Sequence, residues 1–452
     1  MRLSKDLGER CKGLGKEDGL KSLAIFRLRG SRRIGFKSRD RFCCIAGFII
    51  ATIFSCASAA LGAGFALVQQ GTAAMAQGNA FVADASDASA IYYNPAGLNQ
   101  LKGAQVYQGA VFNHPDREFQ SGGLSSETNH RWYPSTSAYI AVPVHERVAV
   151  GIGYFSPFGL GTAWPPTWEG RYISTFSSIR TYNLNPVISV KVLEKLSLAA
   201  GLDVMWSKVD LKRKVQILGG LLPDAESRLT GDGQGYGYNL GALFEPVSGV
   251  KLGVSYRSEI FVKHYGDAAL TFKPPLPFSQ SSPGSANLTF PASVTTGVCY
   301  SRLKPFAFEF DATWTGWSSF EELRARFDYP MGGQTRTVIP KNWKNTWAFR
   351  FGANYEVKEG MKIRAGYIYD LTPVPDETFD PQLSDANRHV FTVGGDLKIR
   401  RFTLGIAYNY ILAEGRTKDN LIRINGVPAP LQANGRYNSD VHSLGLSWQF
   451  QF

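Results

Sequence analysis

Residues 442–452 read HSLGLSWQFQF, and the fold turns on how they alternate. The even positions are His442, Leu444, Leu446, Trp448, Phe450 and Phe452; the odd ones are Ser443, Gly445, Ser447, Gln449 and Gln451. One face is greasy and aromatic, the other small and polar. A period of two marks a β-strand with a different solvent on each side.

The pattern recurs along the chain. Residues 402–412 set Phe402, Leu404, Ile406, Tyr408, Tyr410 and Leu412 against Thr403, Gly405, Ala407, Asn409 and Ile411. Residues 148–154, 196–206, 347–355 and 363–370 do the same. A soluble sandwich also alternates, but its outer face carries Lys, Glu and Thr. Here the polar face is Gly, Ser, Asn and paired charges, and Tyr and Trp gather near the ends of the apolar faces, as interfacial girdles do. Tight connections (144–147, 193–194, 246–250, 303–304, 358–360 and Arg400) alternate with long ones (roughly 157–177, 213–232, 266–284, 317–341, 372–387 and 417–435). Fourteen runs are counted between residues 104 and 452. Most reach the ~9–11 residues of a tilted spanning strand, and the even number suits a closed barrel. A lipid-embedded sheet must close, because no water is present to satisfy a free edge. The expectation is an all-β chain, a 14-stranded antiparallel transmembrane β-barrel.

The chain has 452 residues and a formal charge of +12, unevenly placed. Residues 1–41 hold 13 basic and 5 acidic side chains, leaving the remainder nearly balanced. The basic signature belongs to a leader, so a nucleic-acid partner is not expected. Phe42 to Phe54 is a short apolar core after Arg39-Asp40-Arg41, followed by Ala57-Ser58-Ala59. That is the order of a secretory signal, removed after Ala59 or Gly62. Its apolar core falls short of the ~20 residues of a spanning anchor, the alternative reading. The basic region is long for a signal, which an upstream start codon would explain. Four of the five cysteines (Cys11, Cys43, Cys44, Cys56) lie in this leader, leaving Cys299 without a disulfide partner or thiolate cluster. The domains are therefore 1–62, leader; 63–102, an Ala/Gly/Ser-rich segment that does not alternate; and 103–452, barrel. The middle segment is too poor in large apolar residues to fold alone. It is placed inside the barrel as a hatch, with a periplasmic tail as the alternative; Asp84 or Ser86 is the expected helix cap.

Ala63-Gly64-Phe65, the small-residue segment, Tyr93-Asn94-Pro95-Ala96-Gly97, Phe155-Ser156-Pro157-Phe158-Gly159-Leu160-Gly161 and Leu371-Thr372-Pro373-Val374-Pro375 together resemble the FadL/TodX family, from about residue 63 to 452. The resemblance implies a hatch-closed barrel in the bacterial outer membrane that passes long-chain fatty acids or aromatic hydrocarbons by diffusion. It implies a pocket at Phe65 of the hatch, with Lys344 as a pocket lysine. Lys208 resembles another pocket position, although parity puts it beside Trp206 on the lipid face. Arg350 and Arg364 are inward by parity, as is Lys344. Such cations would hold a carboxylate by charge-assisted hydrogen bonds, or else pair with Asp203, Asp370 and Asp396.

Two loop segments are unusually apolar: Ile217, Leu218, Leu221 and Leu222, and Leu270, Phe272, Leu276 and Phe278. Exposed apolar patches mark binding surfaces, and the resemblance implies a first capture groove there, with loop-on-loop packing as the alternative. Asn94, Pro95, Ala96 and Gly97 are the candidate gate of the hatch. Phe155, Pro157, Phe158 and Gly159 are the candidate kink, where proline removes a ladder donor and opens a lateral exit into lipid. No cofactor or metal is implied: none of the six histidines stands in an H-E-x-x-H array, and no G-x-S-x-G elbow occurs. A spatially assembled Ser–His pair, a general porin and an adhesin are the competing classes. The expected partners are a hydrophobic ligand, membrane lipid and lipopolysaccharide, and the barrel-assembly machinery through Phe452, with the chain itself a monomer.

Overall fold

A computed structural model describes residues 63–275 and 278–452. Residues 1–62, expected to be a leader, and Leu276 lie outside the described residues. The rest forms a closed 14-stranded antiparallel barrel. The strands are β1 Gln105–Ser121, β2 Tyr133–His145, β3 Val148–Phe155 resuming at Gly159–Ala163, β4 Phe176–Leu193, β5 Leu196–Ile217 and β6 Leu222–Val247. Then come β7 Val250–Arg257 and Ile260–Thr271, β8 Ser279–Phe290 and Ser293–Tyr300, β9 Phe306–Thr315 and Glu322–Met331, and β10 Gln334–Pro340 and Thr346–Lys358. β11 Met361–Asp370, β12 Arg388–Ile399, β13 Phe402–Ala413 and β14 Gly435–Gln451 complete the circuit. Closure runs from Gln105↔Gln451 to Gln120↔Arg436, so the 442–452 stretch is the seam strand.

The two faces sort as their solvents require. Leu404, Ile406, Leu444 and Leu446 are exposed on the outside, while Ala407, Asn409, Ser443 and Gly445 between them are buried. Short turns lie at one end. The other end differs from expectation, because 213–232, 266–284 and 317–341 are mostly strand. β5 is 22 residues long and β6 is 26, joined by the tight turn Leu218–Leu221. These extensions rise well beyond the ~9–11 residues that cross lipid. There one face turns charged, with Lys208, Asp210 and Lys212 on β5, while Val209 and Leu211 of β5 and Leu229 of β6 line the interior, so the period of two continues but no longer marks a lipid face.

Residues 63–101 pack among the inward faces of the strands. They form α1 Thr72–Ala76, α2 Ala90–Tyr93 and a 3-10 turn Pro95–Gln100. Neither Asp84 nor Ser86 caps an element; Asn94 does, its Oδ1 accepting from Ala96 N at 3.1 Å. Small wall residues make the room. A Cβ on Gly253 would stand 2.2 Å from the Val82 carbonyl oxygen, and one on Gly366 2.3 Å from the Gly78 nitrogen. Two buried β9 carboxylates hold four successive amides. Asp311 accepts from Phe81 and Val82 at 2.9 and 3.1 Å; Glu309 accepts from Ala83 and Asp84 at 2.7 and 2.9 Å. At the start of the segment, the Ala63 amide donates to Asp370 at 2.6 Å.

Candidate functional site: two cavities about an aromatic cluster

Five strands of the wall are interrupted: β3 at 156–158, β7 at 258–259, β8 at 291–292, β9 at 316–321 and β10 at 341–345. Three interruptions carry a ladder-breaking residue, namely Pro157, Pro291 and Gly316, and Pro340 ends the strand just before a fourth. Asn342 adds a positive φ of 49° in the β10 interruption. Freed from the pleat, the chain turns large rings inward. Phe158, Phe290, Trp317, Phe320 and Trp343 all sit at these interruptions, and all surround Phe65. Ring centroids lie 6.1, 6.0, 4.7, 5.7 and 5.6 Å from that of Phe65, in edge or tilted contacts. Phe65 itself is 1 % exposed. Such pairs add about 0.5–1.5 kcal/mol each beyond area burial.

Cavities lie on both sides of this cluster. The loop-ward one holds about 90 Å³ and is lined by apolar side chains, among them Leu160, Ile179, Val209, Leu211, Leu288 and Leu383, with Phe65, Phe320 and Trp343 as its floor. Its basic lining residues are Arg326, which is exposed, and the buried Lys341, which the sequence reading missed. That amine is already committed, to Asp380 at 2.5 Å and Gln382 at 2.7 Å. The turn-ward cavity, about 100 Å³, is mixed in lining and the more polar of the two. Arg257 and Arg350 line it, with Asp311, Thr313, Tyr92 and the underside of Phe158. Arg350 is 6 % exposed and donates through Nη1 to Thr313 Oγ1, while its Nε has no partner among the described residues. Arg257, also missed, pairs with Asp203 and lies over the rings of Tyr92 and Phe155 at 5.4 and 5.2 Å.

The other predicted cations are elsewhere. Lys344 is exposed, in a surface hollow with Asp376, Glu377 and Arg416, so it does not line either of these cavities. Parity failed there because 341–345 is not strand. Lys208 is exposed on the outer face with Trp206, where its parity put it, and so is not a pocket residue. Arg364 is buried but spent on Asp396 at 2.8 Å and on Gln77 of the N-terminal segment at 2.7 Å. Asn94 is fully buried, its amide donating to Val82 O at 2.7 Å and Ala242 O at 3.0 Å, which ties the segment to β6. Pro95, Ala96 and Gly97 continue into the 3-10 turn; Pro95 begins it and Ala96 packs with Ala199 and Leu243.

At the β3 interruption the ladder opens. β2 and β3 pair only as far as Ala138↔Tyr154, so Tyr133–Ser137 of β2 face β3 without partners in the ladder. Phe155 is the last residue of the lower part of β3, packed under Tyr92. Beyond it the chain pairs with the N-terminal segment instead. Leu67 N donates to Pro157 O at 2.8 Å and Gly159 N to Phe65 O at 2.8 Å. The kink and the central ring are thus one hydrogen-bonded unit beside a window in the wall. Of the two apolar loop segments, Ile217–Leu222 is a hairpin tip with Leu218 and Leu221 exposed, Leu221 at 85 %. Phe272 and Phe278 stack at 4.3 Å, and Leu270 is buried.

The chain is similar to known proteins over nearly all of this architecture. A long-chain fatty acid transport protein of Escherichia coli O6:H1 is 24 % identical, aligned over 69 % of this chain and 77 % of its own length. Among solved structures, a FadL homologue of Pseudomonas aeruginosa superposes with a TM-score of 0.76 at 22 % identity, covering 86 % of this chain and 100 % of that one. The toluene transporter TbuX of Ralstonia pickettii gives 0.65 at 17 % identity over 84 % and 98 %. The family model for outer membrane protein transport proteins (OMPP1/FadL/TodX) matches residues 53–452, and the chain belongs to that family of outer-membrane transporters.

Proposed function

We propose that this barrel carries amphipathic hydrophobic acids, long-chain fatty acids first among them, inward across the outer membrane by diffusion. The observation that carries the reading is the sequence of environments along the lumen: an apolar cavity, an aromatic constriction, then a cavity with a buried arginine whose Nε lacks a partner. An alkyl chain gains about 0.8 kcal/mol per buried CH₂ in the first. A carboxylate gains charge-assisted hydrogen bonds in the second. Exposed Leu218 and Leu221 and the Phe272–Phe278 stack serve as the first apolar contact outside. The β2–β3 window serves as the exit into lipid, and residues 63–101 act as the hatch that blocks an aqueous path. Nothing in this path asks for catalysis: the transport is passive, by a monomer needing no cofactor. Lipopolysaccharide surrounds the outer end, and Phe452 is the element presented to the assembly machinery.

A neutral aromatic hydrocarbon is the second reading, favoured by the apolar lining of the loop-ward cavity, where the buried Lys341 is already paired with Asp380. Uptake of labelled oleate and labelled toluene by cells with and without the protein separates the two, with Arg350→Ala and Lys344→Ala alongside. The fatty-acid reading expects protein-dependent oleate uptake that falls roughly tenfold in Arg350→Ala, the loss of one charged hydrogen bond, and is unchanged in Lys344→Ala. Protein-dependent toluene uptake alone, with both variants silent, selects the hydrocarbon. Dependence of small sugars alone makes the chain a porin and overturns both.

A further inference from the structure

Half of the chain's six histidines meet at one place outside the lumen. On β1 the outward stripe runs Ala110, Phe112, His114, Asp116; on the paired β14 it runs Leu446, Leu444, His442, Asp440. His114 faces His442 and Asp116 faces Asp440 across the seam. Both stripes change from apolar to ionisable at the same rung, so the lipid boundary lies just below, and the cluster faces the polar layer on the loop side. His130, from the β1–β2 loop, comes down onto this rung.

The side chains converge in a way that simple solvation does not require. One donor atom each from His114, Asp116 and His130 lies within 4.8 Å of the others. The Asp116 carboxylate stands between two imidazoles. Its Oδ1 is 2.6 Å from Nδ1 of His130, and its Oδ2 is 3.4 Å from Nδ1 of His114. The two rings lie nearly parallel, 12° apart, and Trp132 covers His114 at 4.9 Å. The other nitrogen of His130 points to Glu127 at 3.6 Å. A carboxylate behind an imidazole is the usual arrangement that fixes a metal-ligating histidine.

We propose that His114, Asp116 and His130 form a binding site for a borderline divalent cation of the zinc class, with Glu127 orienting His130. Two imidazoles and one carboxylate select such ions over calcium or magnesium, which take oxygen donors. Bonds of about 2.0–2.2 Å place neighbouring donors of a tetrahedral ion roughly 3.2–3.5 Å apart. The His114–Asp116 spacing already meets that value. The closer His130–Asp116 pair opens by rotation of His130, an exposed side chain on a loop. The fourth position faces outward, to water or to an anionic oxygen of the surrounding lipid layer. Binding ties the β1–β2 loop to β1, and the same loop reaches the upper end of β3 through Asn129 N donating to Ala163 O at 2.9 Å.

The test is calorimetric titration of zinc chloride into the full-length protein, purified without a polyhistidine tag and stripped with chelator in detergent micelles. Cobalt(II) absorption provides a second readout. The expected result is one saturable site with a tetrahedral cobalt band, weakened at least tenfold in His114→Ala and in His130→Ala. His389→Ala keeps it, since that histidine is bonded to Tyr367 at 2.7 Å outside the cluster. All three substitutions lie on the outer surface, and an unchanged thermal unfolding transition confirms the barrel. The proposal is overturned if the wild type binds no zinc, if the His114 and His130 variants bind as tightly as it does, or if calcium occupies the site and zinc does not.

Discussion

The clearest energetic commitment in the lumen is the clamp on residues 81–84. Asp311 and Glu309 sit two residues apart on the inward face of β9 and together accept four consecutive amides. Both side chains are buried, at 0 and 5 % exposure, so their acceptors have no ready substitute in solvent. Replacing Asp311 by Ala strands the amides of Phe81 and Val82. Each buried unsatisfied group costs about 1–3 kcal/mol, and water entering the space left by the carboxylate holds the sum to roughly 2–4 kcal/mol. At about 1.4 kcal/mol per tenfold, protection of the 81–84 amides against hydrogen exchange should fall roughly thirty- to several-hundred-fold. Asp311→Asn keeps a neutral acceptor oxygen and should fall between the two. Amides of the β13–β14 ladder, which pair only with each other, should not change. Exchange measured by mass spectrometry on the detergent-solubilised protein resolves these peptides. Single-channel conductance adds an independent readout, because loosening the segment opens an aqueous leak. The reasoning fails if Glu309→Ala/Asp311→Ala leaves exchange at 81–84 unchanged in a folded barrel. It also fails if exchange rises equally everywhere, since the clamp would then be part of global stability.

Four further outcomes follow from the same geometry. Phe65→Ala removes the ring common to five aromatic contacts, at a local cost of about 3–5 kcal/mol; it should join the two cavities and raise the initial rate of toluene uptake. Ser137→Trp, on the unpaired edge of β2, should fill the window and lower oleate uptake by whole cells while leaving oleate binding to purified protein intact. Lys341→Met leaves Asp380 buried without its cation, a loss of about 3–5 kcal/mol; limited proteolysis of the 371–387 loop should accelerate, and Lys341→Met/Asp380→Leu should reverse this. In the 414–434 loop, burial pushes the Lys418 amine down from its ordinary 10.5 to about 8. The folded state therefore releases this proton more readily than the unfolded chain. Loop stability should rise with pH from about 8 to about 10.5, and the rise should vanish in Lys418→Met when followed by hydrogen exchange of that loop after correction for intrinsic rates.

The transmembrane part of the fold was legible because lipid imposes one rule at every position. Leu446 outward and Gly445 inward can be read from parity alone, and each of the 14 counted runs overlaps one strand of the barrel. Legibility was lost in two places for two reasons. Above the membrane the lipid face ends: β5 and β6 continue to a tight hairpin with charged side chains such as Lys208, Asp210 and Arg228 where apolar ones would face lipid, which reads as loop although it pairs along nearly its whole length. At the interruptions the chain leaves the pleat, and counting by twos assigns the wrong side. Lys344 was placed inward on this count, whereas Asn342 at positive φ breaks the count and Lys341 is the residue that turns in. Arg257 was missed because it stands at the edge of another break. The metal-ligand cluster left no spacing signal, since His114 and His130 belong to a strand and a loop brought together only by folding.

The places where parity fails are also where the lumen is constricted, and the two facts have one cause. A continuous barrel strand offers the lumen one side chain every second residue, each at the wall. Rings of Phe and Trp at those positions would stay near the wall and leave a central path open. Moving a ring to the axis requires the backbone itself to step inward, and a strand can do so only by giving up ladder hydrogen bonds. Each surrendered bond must be met elsewhere inside a membrane. The β3 break meets this demand with the N-terminal segment, Leu67 N to Pro157 O and Gly159 N to Phe65 O. The β9 and β8 breaks meet it with each other, Gly316 N to Ala292 O at 2.9 Å. The β10 break returns Lys341 N to Glu321 O at 2.7 Å. The constriction is therefore built from backbone exchanges rather than from side chains alone. It follows that moving residues 63–67 withdraws partners from β3 at the same moment as it withdraws Phe65 from the ring cluster. Opening the path through the cluster and loosening the wall beside the β2–β3 window are then one event, which couples passage through the constriction to exit through the wall.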